Sequence, residues 1–170
     1  MNEDFFIKAL QSIDEILSDD FEAKKKITTR KVLDSNNLAD WDRAEEFYDE
    51  IRQDLSDIPK IANNLQKSER IVNRVKEHVF IRDHEIVIDD LVEIRRLDAD
   101  PEIVNVWSRL CEGDHVESDV KLFEHEQLES IIEIRQKVSQ TVAHRQTVLL
   151  GYNWNPDEAY DGDSSTNPDD

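Results

Sequence analysis

Asp100-Pro101-Glu102-Ile103-Val104-Asn105-Val106-Trp107-Ser108-Arg109-Leu110-Cys111-Glu112-Gly113 reads as one α-helix with both of its ends specified. Asp100 supplies a carboxylate N-cap, Pro101 suits the first turn, where its missing N–H is not needed, and Glu102 complements the helix dipole. Ile103, Val106, Trp107 and Leu110 recur at three- and four-residue steps as a buried stripe, and Gly113 is placed to end the helix. Outward from this segment the same period repeats. Trp41, Ala44, Phe47, Tyr48, Ile51 and Leu55 form a stripe behind a capping Asp40, stopped at Asp57-Ile58-Pro59. Ile58, Ile61, Ala62 and Leu65 give a short helix, and Ser68 caps the next, with Ile71, Val72, Val75 and Val79 on its buried side. Further helices are predicted from Ser118 or Asp119 to about Arg135, from about Ser139 to Leu150, and over 3–18 on Phe6, Leu10, Ile13 and Leu17.

Residues 81–98 lose the helical period. Glu85-Ile86-Val87-Ile88 and Leu91-Val92-Glu93-Ile94 predict two short strands joined across Asp89-Asp90. With 3 Gly and 4 Pro in 170 residues, a many-turned sandwich or barrel is excluded. The fold class is therefore predominantly α: a compact multi-helix domain with one small β-hairpin near 85–97, preceded by a helical N-terminal extension. The expected division is a helical extension over 1–57, a helical body over 58–155 and an acidic tail over 156–170. That tail holds six acids and almost nothing apolar, which predicts disorder.

Charge narrows the partners. Lys+Arg 21 against Asp+Glu 40 gives a formal net charge of -19. Nucleic-acid readers gain most of their affinity by neutralising phosphates with basic side chains, so direct nucleic-acid binding is argued against, and so is an anionic lipid surface. A basic or neutral protein partner fits better. Lys24, Lys25, Lys26, Arg30 and Lys31 form the one basic island and read as a solvated helix face. The outline of a helix-turn-helix over 58–78 would turn Arg70, Arg74 and Lys76 toward a groove. Asp54, Asp57, Glu69 and Glu77 sit among them, so it reads as a helical corner. No apolar run approaches the roughly 20 residues of a membrane span. The acidic start MNEDFFIKALQ and the lone Cys111 give a cytoplasmic expectation with no disulfide framework.

The chemistry-bearing stretch is Phe123-Glu124-His125-Glu126-Gln127-Leu128-Glu129. His125 and Glu129 stand four apart, on one helix face and within reach of one ion. Glu126 follows His125 as the general base follows the first His in the H-E-x-x-H peptidase pattern, with Glu129 replacing the second His. His78 or His144 would complete a set of two His and one carboxylate around a divalent metal such as zinc, leaving a position for water. His84 and His115 read as loop residues. No glycine-rich phosphate loop, nucleophile elbow or Cys-x-x-Cys is present.

In order along the chain, Ile61-Ala62-Asn63, Val75-Lys76-Glu77-His78-Val79-Phe80, Asp98-Ala99-Asp100-Pro101-Glu102-Ile103, Trp107-Ser108-Arg109-Leu110 with Gly113, Glu124-His125-Glu126 with Glu129, and Ala143-His144 resemble one domain. It is a predicted toxin-like domain found at the C-termini of bacterial polymorphic-toxin and phage minor-head-type proteins. The resemblance covers about residues 58–155. It implies a helical effector-type domain whose three His-bearing motifs converge on one centre of His78, His125, Glu126, Glu129 and His144. The expectation is a toxin-like hydrolase in which His125, Glu126, His78 and His144 are catalytic and His125, Glu129 and His144 hold the metal. The alternative is a non-enzymatic acidic protein, of immunity, inhibitor or DNA-mimic type, that binds a basic protein partner.

Overall fold

The end signals of the 100–113 segment operate as written in the computed structural model, which describes residues 31–89 and 91–160. Asp100 accepts a hydrogen bond from the Glu102 N–H (2.7 Å), Pro101 opens the helix, and Gly113 ends it at φ 77°. Among the described residues, α1 spans Leu38–Gln53, α2 Asp57–Leu65 and α3 Glu69–Lys76, followed by a π-helical turn over Glu77–Ile81. Strands β1 (His84–Ile88) and β2 (Leu91–Arg95) precede α4 (Pro101–Glu112), α5 (Glu117–Gln136), α6 (Gln140–Leu149) and a 3₁₀ turn over Pro156–Ala159. The fold is thus predominantly α with one antiparallel hairpin, paired from His84 opposite Arg95 to Ile88 opposite Leu91. Asp89 takes φ 47°, the left-handed backbone that a two-residue hairpin connection demands. No helix among the described residues is long and apolar enough to cross a membrane. The sequence-predicted helix over 3–18 and the basic run from Lys24 to Arg30 lie outside the described residues.

The core is organised by aromatic rings. Phe80 stands edge-on to Tyr48 (centroids 4.7 Å apart) and to Trp107 (5.0 Å), joining α1, the π-helical turn and α4. Val72, Val75, Val79, Leu110, Leu122 and Phe123 fill the space around them. Three boundaries differ from the sequence reading. The described residues from Leu33 to Tyr160 belong to one compact unit, so the division expected after residue 57 falls inside the core. The reason is that Ala44 and Tyr48 of α1 are fully buried, and the Leu33 main chain is clamped at both N–H and C=O by the buried Asn105 side chain (2.9 Å each). Asn37 rather than Asp40 caps α1, accepting from the Ala39 N–H (3.2 Å). Asp40 lies inside the first turn and accepts from the Asp34 N–H (2.8 Å) and Arg43 (2.9 Å). The expected disorder does not hold over 156–160: Ala159 is buried, and the Tyr160 hydroxyl donates to Glu102 (2.7 Å) and accepts from Asn105 (3.2 Å).

Two ion pairs sit inside this framework. Arg109 grips Asp119 through two hydrogen bonds (2.9 and 2.6 Å), fixing α4 to the start of α5. Lys76, only 1% exposed, points inward to Asp57 (2.7 and 2.9 Å) and the Asp54 carbonyl, and Trp107 Nε1 also donates to Asp57 (3.0 Å). This inward ammonium removes Lys76 from any groove-facing role and makes α2–α3 a helical corner. Truncating one partner of a buried pair strands the other charge, at a cost of about 3–5 kcal/mol. Asp57→Ala is therefore expected to lower unfolding free energy by about that amount in urea titrations. A change below about 1 kcal/mol would show that the pair contributes no more than a surface one.

Candidate metal centre

Helix α5 supplies the floor of the site. Residues one, four and eight positions apart fall on neighbouring faces of a helix, so His125, Glu126, Glu129 and Glu133 project toward the same side. The π-helical turn takes one more residue per turn than an α-helix, and His78, Val79 and Phe80 are all buried within it. It brings His78 onto α5 while Phe80 keeps its place in the core. Helix α6, started by Ser139, whose side chain caps the Val142 N–H (3.4 Å), delivers Gln140 and His144. β1 delivers His84.

Glu129 lies at the centre, 1% exposed. Its Oε2 is 3.2 Å from His125 Nε2 and 2.9 Å from His144 Nδ1, and those two nitrogens are 3.2 Å apart. A tetrahedral ion with bonds near 2.0–2.1 Å separates its ligands by about 3.3 Å, so the three atoms fit one ion closely. His125 Nδ1 donates to the Tyr152 carbonyl (2.5 Å), which directs Nε2 to the centre, as outer partners of ligating His commonly do. Glu129 Oε1 accepts from His78 Nε2 (3.2 Å) and from Gln140 (2.9 Å). Glu126 stands 3.5 Å from His78 Nε2, with Oε2 buried and without a hydrogen-bond partner. His125, Glu126, Glu129, Gln140, His144 and Trp154 line a cavity of about 300 Å³ together with apolar Leu97, Ile103 and Leu122. The His144 side chain is 52% exposed and forms the solvent side of the set.

Electrostatics follow from burial set against these contacts. Burial favours neutral His78, yet its bond to Glu129 and the nearby Glu133 carboxylate (3.4 Å) prevail and push its pKa up to about 9. Burial favours a protonated Glu129 too, but His125, His78 and His144 hold it well below the carboxylate range. Glu126 has no such bonds, so burial and then the charge of Glu129 raise it. His125 is raised because Glu129 and the Tyr152 carbonyl outweigh its burial. Glu133 is drawn down to about 2, since His78 and His84 overcome its burial.

All five residues singled out from sequence meet here. His144 completes the His125–Glu129 set, whereas His78 approaches the opposite oxygen of Glu129. Sequence reading passed over Glu133, His84 and Gln140. Glu133 continues the four-residue step from His125 through Glu129, a signal that was present. His84 opens a strand and is 1% exposed, where a loop position was expected. His115 belongs to none of these His/Glu groups. Comparison with protein-family models, curated proteins and solved structures returns no match.

The cluster gives the chelator-treated protein a defined pH response. His78 is raised from 6.5 to about 9, so its contribution is complete below pH 6.5 and is lost as pH climbs through 9. Glu133 is lowered from 4.5 to about 2, so its contribution is complete above pH 4.5 and is lost as pH falls through 2. Urea midpoints of metal-stripped protein are expected to peak between about pH 4.5 and 6.5 and to fall on both sides. Replacing His78 by Gln should flatten the alkaline limb, and an unchanged limb would remove His78 as its source.

Proposed function

We propose that the protein is a metal-dependent hydrolase of toxin-like or effector type, with its ion on His125 Nε2, His144 Nδ1 and Glu129 Oε2. The observation that carries this reading is the near-equal spacing of those three atoms, 2.9–3.2 Å, on the wall of a cavity of about 300 Å³. Two nitrogens and one oxygen suit zinc or a neighbouring transition ion better than magnesium or calcium, which prefer oxygen. Such an ion supplies Lewis acidity to a substrate carbonyl or phosphoryl oxygen and lowers the pKa of water. Glu126 is the general base. Burial and the neighbouring Glu129 charge raise its pKa above the ordinary carboxylate value, the direction that strengthens a carboxylate as a proton acceptor. Gln140 holds Glu129 in register through Oε1 (2.9 Å), and Trp154 lines the cavity with Leu97, Ile103 and Leu122. The net charge of -19 favours a peptide or cationic substrate over a nucleic acid. The resemblance to toxin-like domains and the lone Cys111 support an effector working in the cytoplasm.

The test separates ligand from base. Glu126→Gln is expected to retain stoichiometric metal while turnover on a responsive peptide or ester substrate, and toxicity on expression in bacteria, fall at least about 100-fold. His144→Ala is expected to lose the ion. Metal content and toxicity that are both unchanged in His125→Ala would overturn the assignment.

A second reading, a protein-binding module without catalysis, draws on β2, where Leu91, Val92 and Ile94 are 60–67% exposed. Under it, partner binding survives His125→Ala, weakens between low and moderate salt, and is lost in Ile94→Asp.

A further inference from the structure

We infer that His78, His84 and Glu133 form a second, closed cation site that locks the β-hairpin to helix α5. The site shares no ligand with the first ion and stands whether or not the protein is a hydrolase. Its three ligand atoms lie within 4.8 Å of one another. His84 Nδ1 is 3.0 Å from both oxygens of Glu133, and His78 Nδ1 is 3.4 Å from Glu133 Oε2.

The other nitrogens show how the rings are set. His84 Nε2 faces the His78 carbonyl (2.8 Å), an acceptor that fixes the proton on Nε2 and turns the Nδ1 lone pair toward Glu133. His78 Nε2 faces Glu129 Oε1 (3.2 Å), which does the same for its own ring. His78 Nδ1 is then left sealed from solvent, 0% exposed, with no hydrogen-bond partner, and aimed at Glu133. A buried polar atom of this kind is costly unless something fills the gap. A lone pair from each imidazole and the Glu133 carboxylate then face one another within 4.8 Å. Nitrogen donors with one carboxylate select a divalent transition ion such as zinc.

The two sites differ in purpose. The first has an exposed His144 and a cavity; here His78 and His84 are buried and Glu133 has an 11% exposed side chain, which leaves no room for a substrate. Structural sites are closed and contribute to folding. The elements joined are the π-helical turn, the first residue of β1 and the C-terminal half of α5. Glu129 links the centres, meeting the first ion through Oε2 and orienting His78 through Oε1.

Metal counting on the full chain tests this. After chelator treatment and zinc reloading, mass spectrometry of the metal is expected to give two zinc ions per chain. One ion should remain in His144→Ala, one in Glu133→Gln, and none in the double variant. In His144→Ala, zinc is still expected to raise the melting temperature by several degrees and to slow amide exchange over 84–88, and both effects should vanish when Glu133→Gln is added. His84→Asn is a further variant should Glu133→Gln fold poorly. One ion in the wild type, lost in His144→Ala and kept in Glu133→Gln, overturns the second site and leaves the proposed function intact. One ion lost only in Glu133→Gln keeps this site and removes the first. No ion in the wild type removes both.

Discussion

A carboxylate at the centre of a protein is stable only when its neighbours replace the water it has given up, and Glu129 sets that requirement for this fold. It is met by His78 from the π-helical turn, His125 from its own helix, and Gln140 and His144 from α6. These partners have to arrive from three elements at about 3 Å, so the paths of those elements are constrained together. The short α6 must fold back along α5, and the chain after α3 must widen into a π turn. Removing any single partner leaves the buried Glu129 carboxylate poorly matched, which is why the cluster acts as a unit.

The apolar core and this polar centre share α5 but use different faces. Leu122 and Phe123 turn into the aromatic and aliphatic core, while Glu126, Glu129 and Glu133 turn to the histidines. The buried Arg109–Asp119 pair ties α4 to α5, and the Lys76–Asp57 pair ties α3 to α2, where Asp57 also accepts from Trp107 of α4. Such pairs add little net stability over well-packed apolar side chains, but they tolerate few alternative arrangements. That restriction suits a polar centre whose side chains must meet at about 3 Å.

Much of this was legible in the sequence where a signal is local. Asp100, Pro101 and Gly113 mark both ends of α4 through backbone requirements that no tertiary contact needs to supply. The loss of helical period over 81–98 marked the hairpin for the same reason. The four-residue step from His125 to Glu129 announced a shared face, and the ordered His motifs brought His78 and His144 to it. What stayed hidden depends on long-range partners. Nothing near His84 in sequence reveals that its imidazole will meet Glu133 across 49 positions. Tyr160 sits in a stretch of tail-like composition, and its order comes from Glu102 and Asn105, far upstream. The boundary expected after residue 57 failed likewise, because Asn105 reaches Leu33 across 72 positions.

Helix α6 has an unusual kind of attachment. Of its residues only Ala143 and Thr147 are buried, so little apolar area holds it down. Its hold comes instead from polar contacts: Gln140 and His144 to Glu129, and the Thr141 hydroxyl accepting from the Val87 N–H (3.0 Å). An ion at the proposed centre would therefore share one equilibrium with the ordering of this helix. Withdrawing such an ion would slacken the wall that carries His144, and wedging that wall outward would weaken the grip on the ion. Under the proposed function, cargo and architecture would be reciprocal, and a competing chelator would reach the cavity by displacing α6.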